Sequence, residues 1–216
     1  MKIYLIRHGQ TNRNIEANEY IGQPEEEPLT ELGRKQASLL GERLKKENLT
    51  FKEIYCSPYS RAKETCEIAC SKFTEQKPTY IDALREYSTG KATSKKREEI
   101  ITFDLLNKMS ELGMHFSYED GESLFQVQRR VCDWFYGVME QYKNTNEKIA
   151  IFSHGMTIKC LIQYIMGFDH RLTWRLSLDN TAISLFDYKF GHWFVKNIND
   201  TKHLNGFEQH IQEVLL

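Results

Sequence analysis

The sequence predicts an α/β fold in which a mostly parallel central sheet is covered by helices on both faces. Short apolar runs alternate with longer amphipathic segments along nearly the whole chain. The short runs end at glycine, proline or polar residues, as buried strands do, and are too short for helices. Such alternation is typical of parallel strands joined by helices, which form a three-layer sandwich.

The individual elements follow from the same periodicities. The predicted strands, which share short apolar runs, cover residues 3–6, 51–56, 79–82, 149–153, 182–188 and 192–198. The predicted helices, which share a 3.6-residue apolar repeat, cover residues 31–47, 60–73, 123–142 and 156–166. Thr30 has the position of an N-cap for the first helix. Residues 12–28 are predicted as a loop and residues 85–121 as irregular.

Three further features are expected from side-chain spacing. The last two strands are expected to pair as a hairpin near Gly191. Trp174, Trp193 and Phe194 are expected in the core. The spacing of four apolar residues predicts an amphipathic C-terminal helix that packs on its own domain; they are Leu204, Phe207, Ile211 and Leu215.

Length and composition favour one domain over residues 1–216 and exclude several classes of function. A formal net charge of -1 gives no electrostatic basis for binding nucleic acid or an anionic membrane. No apolar run has membrane-spanning length, and the chain enters its first strand without a signal-type segment. The five cysteines are odd in number and lack paired Cys-x-x-Cys sets, so we expect no zinc site and reduced thiols in a cytoplasmic protein.

Chemically active residues follow several of the predicted strands. The first strand leads into Arg7-His8, and the strand at 149–153 leads into His154. The second strand is followed by Ser57 and Arg61, and the third by Glu86. Taken singly, Arg61 could be a solvated helix residue and Glu86 an ordinary loop carboxylate. Because the carboxyl ends of parallel strands meet at one edge of the sheet, we expect all of these side chains in one cleft.

The cleft has the composition of a phosphate site. Guanidinium groups match phosphate oxygens with two parallel hydrogen bonds, and helices that open after Gly9 and Gly155 could add backbone N–H groups. A metal held by His8 and His154 is the alternative. Flanking arginines would repel a divalent cation, and no carboxylate lies at helical ligand spacing from either histidine. We therefore expect phosphate binding without a metal or other cofactor.

Five blocks of sequence resemble the signature of the histidine phosphatase superfamily, the phosphoglycerate mutase-like enzymes. In chain order they are Leu5-Ile6-Arg7-His8-Gly9-Gln10-Thr11 with Asn14, Pro28-Leu29-Thr30-Glu31-Leu32-Gly33 with Gln36-Ala37, Ser57-Pro58 with Arg61-Ala62 and Thr65, Leu84-Arg85-Glu86, and Ser153-His154-Gly155. The resemblance spans residues 3 to about 187 and implies a phosphoglycerate mutase-like fold.

The resemblance also implies roles for individual residues. His8 would attack phosphorus through Nε2 and form a phosphohistidine, and Glu86 would act as general acid and then general base. The phosphate-binding and substrate-binding set that it implies consists of Arg7, His8, Gly9, Gln10, Thr11, Asn14, Gly22, Arg61 and His154. Within this set, Arg7, Arg61 and His154 would stabilise the charge of the transferring phosphoryl group.

The segment after Glu86 bears on the type of reaction. Mutases of the family share a longer stretch there that this chain lacks. The segment also differs from the Gly-x-Trp-Glu-Gly run of ribazole phosphatase-like members, since Ala92 and Thr93 replace Trp and Glu. We therefore expect a phosphatase that acts on a small phosphorylated metabolite and releases inorganic phosphate. The alternatives are a mutase, a binding module that has lost catalysis, and a phosphatase of protein phosphohistidine.

Residues 88–121 are expected to form a cap over the cleft, because loops on a rigid sheet usually carry specificity. The basic residues of this segment allow two interpretations; they are Lys91, Lys95, Lys96 and Arg97. They could attract a second anionic group of the substrate, or form a solvated turn balanced by Glu98 and Glu99. The sequence predicts neither the physiological substrate nor the oligomeric state.

Overall fold

A six-stranded sheet forms the centre of the protein in the computed structural model, which describes residues 1–205. The strands, in chain order, are β1 (Lys2–Arg7), β2 (Glu53–Cys56), β3 (Thr79–Tyr80), β4 (Lys148–Ser153), β5 (Ile183–Lys189) and β6 (His192–Asp200). Their order in the sheet is β3-β2-β4-β1-β5-β6. The first four strands are parallel, whereas β5 and β6 are antiparallel to their neighbours. The expected mostly parallel sheet and its terminal hairpin are confirmed.

The register of the central strands determines where the active residues meet. In the β1–β4 pair, Arg7 lies opposite Ser153, so the residues that follow them, His8 and His154, emerge side by side. In the β2–β4 pair, Cys56 lies opposite Phe152, which places the next residue, Ser57, at the same edge. The predicted meeting of strand ends therefore results directly from the hydrogen-bonding register.

Helices cover both faces of the sheet. They are α1 (Asn12–Ile15), α2 (Glu31–Lys46), α3 (Ser60–Cys70), α4 (Arg97–Ile100), α5 (Phe103–Leu112), α6 (Leu124–Tyr142) and α7 (Gly155–Met166). One core packs β-strand side chains such as Ile3 and Leu5 against α6 and α7. The other packs Tyr4 and Ile6 against α2 and α3. Because neighbouring residues of β1 point to opposite faces, one strand contributes to both cores, as a three-layer fold requires.

Residues 12–28, predicted as a loop, and residues 85–121, predicted as irregular, both contain helices. A capping box of Thr11 and Asn14 starts α1, and the Thr102 side chain caps α5. α5 has no buried residue, although its apolar residues Leu105, Met109 and Leu112 recur at helical spacing. α1 is a single turn, too short to show a periodicity, whereas the periodicity of α5 was present in the sequence and was missed.

Two of the three aromatic residues expected in the core are exposed. Trp193 stacks on Phe135 with ring centroids 5.9 Å apart, so it packs against the core as expected. Trp174 is 41% exposed on a short 3-10 turn, and Phe194 is 44% exposed on edge strand β6. That expectation was wrong for these two because neither element is covered on its outer face.

The segment that connects β3 to α6 pairs with the loop after β1. Tyr20 and Lys96 form an isolated antiparallel bridge. The backbone amide of Ser94 donates to the Ile21 carbonyl at 2.7 Å, and the amide of Arg97 donates to the Glu19 carbonyl at 2.8 Å. These bonds fasten the two segments to each other beside the carboxyl edge of the sheet.

All five cysteines are free thiols, and four of them are buried. Within residues 1–205, no helix is both long enough and apolar enough to cross a membrane. Of the predicted C-terminal helix, Phe207, Ile211 and Leu215 lie outside the described residues.

Candidate active site

His8 is the first residue after β1 and is almost completely buried. Its Nδ1–H donates to its neighbour's carbonyl, Gly9 O, at 2.7 Å. Burial, together with the charges of Arg61 and Arg7, holds the pKa of His8 well below its usual value. The ring is therefore neutral at physiological pH. Because Nδ1 carries the proton, Nε2 has a free lone pair, the form that a nucleophilic imidazole requires.

The turn that follows His8 depends on close contacts between two glycines. A Cβ atom on Gly9 would lie 2.6 Å from the Gly33 carbonyl oxygen, and one on Gly33 would lie 2.2 Å from the Gln10 carbonyl oxygen. The N-terminal turn of α2 thus packs directly on the backbone of the turn. The Gly9 amide donates to Thr65 Oγ1 of α3 at 2.9 Å, which links the turn to a second helix.

His154 follows β4 and lies next to His8, with the ring centroids 5.2 Å apart. It is fully buried, and burial together with Arg61, His8 and Arg7 holds its pKa well below its usual value. Its Nε2 lies 2.7 Å from Ser57 Oγ. That oxygen also accepts the Tyr59 amide at 3.3 Å, and within residues 1–205 Nε2 is the acceptor in reach of the buried Ser57 hydroxyl hydrogen, so we assign this hydrogen to His154 Nε2. This assignment leaves the ring proton of His154 on Nδ1.

Arg7 and Arg61 are each fixed by a backbone carbonyl. Arg7 donates to Leu178 O, and Arg61 Nη1 donates to Pro24 O at 2.8 Å. Burial lowers the pKa of both guanidinium groups, that of Arg61 to about 10, so both remain charged at neutral pH. Among the described residues, Arg7 Nε, Arg61 Nε, Arg61 Nη2 and His154 Nδ1 are buried without a hydrogen-bond partner. Buried donors of this kind are costly unless an acceptor binds to them.

Glu86 reaches the same edge from the segment after β3. Its Oε2 accepts the Met156 amide at 3.1 Å, and its Oε1 accepts the amides of Thr157 at 3.2 Å and Tyr87 at 2.9 Å. A Cβ atom on Gly155 would lie 3.7 Å from Arg7 Nε and 3.8 Å from Glu86 Oε2, so both groups border this glycine. We expected the first backbone amides of α7 to point at phosphate. This expectation was wrong for Met156 and Thr157, because their amides donate to the Glu86 carboxylate.

The remaining residues of the predicted set lie in or beside the loop after β1. Asn14 Oδ1 accepts the Thr11 amide at 3.1 Å and the Asn180 side-chain amide at 3.0 Å, so its Nδ2 remains as a donor. Asn180 also donates to the His8 carbonyl at 3.0 Å and so links the residue after β1 to the segment just before β5.

Three members of the set are engaged within the loop itself. Gln10 Oε1 accepts the Thr30 hydroxyl at 2.9 Å, and Thr11 caps α1. Gly22 has φ of +61°, and a Cβ atom there would lie 2.2 Å from Thr89 Oγ1. These contacts build the loop and join it to the 88–121 segment. Contact of Gln10, Thr11 or Gly22 with substrate stays a prediction.

The sequence model of the Histidine phosphatase superfamily (branch 1) matches residues 3–201. The chain belongs to this superfamily. The resemblance of the five sequence blocks and the expected phosphoglycerate mutase-like fold are thereby confirmed.

Relatives of this histidine phosphatase superfamily member carry different names. The "Probable phosphoglycerate mutase GpmB" of Salmonella arizonae is 29% identical over 95% of each chain. A phosphoserine phosphatase from Entamoeba histolytica, solved in complex with 3-phosphoglyceric acid, is 26% identical with a TM-score of 0.80, over 94% of this chain and 98% of the other. Bacillus stearothermophilus YhfR is 28% identical with a TM-score of 0.79 over the same shares.

Two residues at the site of this superfamily member were missed by the sequence reasoning. Arg130 of α6 donates to the carbonyl of Glu86 at 3.2 Å and to that of Ala83 at 2.8 Å. Glu122 binds Arg130 and accepts the Ser88 amide. A capping-box serine, Ser123, marks the start of α6 in the sequence, but nothing in the pattern indicates where Arg130 points.

Ser57 was expected at the sheet edge without a stated role, and its bond to His154 now provides one. Among residues 1–205, no group of three or more His, Cys, Asp or Glu side chains is arranged to hold a metal ion.

Proposed function

We propose that this protein is a metal-independent phosphomonoesterase that transfers the phosphoryl group of a small phosphorylated metabolite to His8 and then to water. The observation that carries the proposal is the state of His8: a buried, neutral imidazole whose Nδ1–H is bound to Gly9 O and whose Nε2 is free. Buried N–H groups of Arg7, Arg61 and His154 without partners accompany it. A nucleophile beside donors suited to phosphoryl oxygens matches the needs of phosphoryl transfer.

In the first step, the lone pair of His8 Nε2 forms a bond to phosphorus, and the bond from phosphorus to the ester oxygen breaks. Arg7, Arg61 and the Nδ1–H of His154 donate to the three phosphoryl oxygens, whose charge they stabilise. The proton that the departing alkoxide needs comes from the Glu86 carboxyl group. We assign the transfer to Oε2, which accepts one backbone amide where Oε1 accepts two, and which lies on the Gly155 side near Arg7.

In the second step, water attacks the phosphorus of phosphohistidine. The Glu86 carboxylate takes a proton from this water as the P–N bond breaks, which releases inorganic phosphate and returns His8 to its neutral form. The same residue acts first as acid and then as base, so one carboxyl group is sufficient for both half-reactions.

Phosphatase and mutase share the first step and differ in what accepts the phosphoryl group. Curated relatives are named probable phosphoglycerate mutase, whereas the phosphoserine phosphatase of Entamoeba histolytica has a similar fold and sequence. The lack of the longer mutase-type stretch after Glu86 favours water as the acceptor here. A mutase that acts on phosphoglycerate is the second candidate, supported by the names of the relatives.

We further propose that residues 88–121 cap the cleft and contribute to the choice of substrate. The pairing of residues 94–97 with residues 19–21 supports this placement, since the latter belong to the loop whose Pro24 binds Arg61. The five free thiols support a cytoplasmic location.

The decisive experiment measures phosphate release from phosphoserine, 3-phosphoglycerate and p-nitrophenyl phosphate, with and without EDTA. We expect turnover that is unaffected by EDTA and lost in His8→Ala. Glu86→Gln should retain phosphate binding and turn over slowly. The control is His192→Ala, which removes an exposed histidine at the start of β6 and should behave as the unaltered protein.

A second readout separates the two candidate reactions. Phosphorus NMR of 3-phosphoglycerate incubated with the protein would show inorganic phosphate for a phosphatase and 2-phosphoglycerate for a mutase. Full activity in His8→Ala, or loss of activity on EDTA treatment that added metal restores, would refute the mechanism. Tight phosphate binding without turnover of any substrate would favour the binding module.

A further inference from the structure

One arginine of α6 contacts the segment that carries Glu86 at two backbone positions. Arg130 Nη1 donates to the Ala83 carbonyl at 2.8 Å, and Nη2 donates to the Glu86 carbonyl at 3.2 Å. The arginine side chain is 19% exposed, so these bonds are largely shielded from water. A guanidinium group holds its donors in a fixed plane, and two carbonyls bound to it cannot shift independently.

The same guanidinium group is itself held by Glu122. Arg130 Nε and Nη2 donate to the two carboxylate oxygens at 2.7 and 2.9 Å, a bidentate pair. Burial alone would raise the pKa of Glu122, but its hydrogen bonds from Arg130 and the Ser88 amide hold that pKa below its usual value. The carboxylate therefore stays ionised at neutral pH.

Glu122 also holds the chain on the other side of Glu86. Its Oε2 accepts the Ser88 amide at 3.1 Å, and its own amide donates to the Ser88 carbonyl at 2.8 Å. Arg130 and Glu122 together thus bind the backbone at residues 83, 86 and 88, on both sides of the Glu86 side chain.

The other bonds to this stretch of backbone come from β4 and α7: Ser153 Oγ donates to the Leu84 carbonyl at 2.7 Å, and Thr157 Oγ1 donates to the Arg85 carbonyl at 2.6 Å. Regular secondary structure contributes little. The preceding strand β3 has two residues, both exposed, and the chain from Asp82 to Leu84 forms a single 3-10 turn. A general acid must lie within hydrogen-bond reach of the leaving oxygen, and a displacement of about 1 Å can reduce the rate about 100-fold.

We propose that Arg130 and Glu122 form a positioning pair that sets the location of the Glu86 carboxyl group for proton transfer. The proposal rests on the proposed function, in which Glu86 protonates the leaving group. Arg130 touches neither substrate nor phosphate in this scheme. Its contribution is the placement of the Glu86 backbone, which a surface ion pair at the same position would not provide.

The dependence of rate on the leaving group tests the proposal. p-Nitrophenolate departs with little protonation, whereas the alkoxide of phosphoserine requires it. Glu86 is also the base for hydrolysis of phosphohistidine, which both substrates share, so the test uses kcat/KM, which covers only the steps up to departure of the leaving group. In Arg130→Lys and in Glu122→Gln, we expect kcat/KM for phosphoserine to fall about 10- to 100-fold, a sizeable part of what general acid catalysis contributes. The kcat/KM for p-nitrophenyl phosphate should fall by less than about threefold, and inhibition by inorganic phosphate should stay unchanged.

Two matched variants make the result specific. Arg129→Gln, at the neighbouring and exposed position of α6, should change neither substrate's kcat/KM. In the Glu86→Gln background, Arg130→Lys should cause no further selective loss on phosphoserine, because the two residues act through the same proton transfer.

An equal fall of kcat/KM on both substrates in both variants, or no fall on either substrate, would overturn the positioning role. If the Arg130 variant does not fold, the Glu122→Gln result decides, since that change keeps the size of the side chain. Failure of the proposed function is a separate outcome: the unaltered protein would then hydrolyse neither substrate.

Discussion

The hydroxyl of Ser57 is predicted to control the catalytic tautomer of His154. Its oxygen lies 2.7 Å from His154 Nε2, and both residues are fully buried. In Ser57→Ala, Nε2 loses its donor in a place that water does not reach. The ring can then carry its proton on either nitrogen. With the proton on Nε2, the lone pair of Nδ1 would face the phosphoryl oxygens, and the hydrogen bond that Nδ1–H donates to them would be lost.

The expected magnitude follows from the burial of this hydrogen bond. A buried polar atom left without its partner costs about 1–3 kcal/mol. If the transition state bears this cost, kcat/KM falls about 5- to 150-fold, since about 1.4 kcal/mol is a factor of ten. The assay is hydrolysis of p-nitrophenyl phosphate, combined with isotope-edited NMR of the histidine ring nitrogens to identify the protonated one.

Ser184→Ala is the matched control. Ser184 is also buried and its hydroxyl oxygen accepts the Asn199 amide at 3.2 Å, but it lies within β5 opposite Leu5. The control should lose stability without loss of kcat/KM. Equal kcat/KM values for the two variants, or an Nε2-protonated His154 in the unaltered protein, would refute the reasoning.

Three other predictions concern stability. Gly33→Ala places a Cβ atom 2.2 Å from Gln10 O and should lower the free energy of unfolding by about 1–3 kcal/mol in urea titrations. Gly137→Ala is the control within helix α6: a Cβ atom there has nothing within 4 Å, so this change should raise the free energy of unfolding by about 0.5–1 kcal/mol. Burial lowers the pKa of His203 to about 4. Because the unfolded chain binds this proton below about pH 6.5, the unfolding free energy should fall by up to about 3 kcal/mol between pH 6.5 and 4, and His203→Gln should remove that part of the decline. Inorganic phosphate at about 100 times its Kd should raise the unfolding free energy by about 2.7 kcal/mol, and Arg61→Gln should abolish most of this gain in thermal unfolding.

The placement of the active residues was predictable because it follows from two local patterns. A short apolar strand followed by Arg7-His8-Gly9, and a second followed by His154-Gly155, need only parallel pairing to bring their ends together. The register then decides which residues become neighbours, and Arg7 opposite Ser153 makes His8 and His154 adjacent. Parallel strands with buried faces allow little freedom in this register.

Other parts of the site could not be predicted because they depend on backbone carbonyls. Arg61 binds Pro24 O and Arg130 binds the carbonyls of Ala83 and Glu86, and any residue type supplies a carbonyl. In the sequence, Arg130 is a charged residue on an amphipathic helix, a pattern typical of a solvated side chain. Its partners become identifiable only once the path of the chain from β3 to α6 is known.

The position of Glu86 explains how two arginines and a carboxylate coexist in one cleft without neutralising each other. A free carboxylate beside Arg7 and Arg61 would form ion pairs with them and compete with phosphate. Here the amides of Met156 and Thr157, at the N-terminus of α7, bind the Glu86 carboxylate instead, and the guanidinium nitrogens keep buried N–H groups without a partner. The helix terminus therefore serves phosphate indirectly: it holds the proton donor at the edge of the site and leaves the arginines available for the anion.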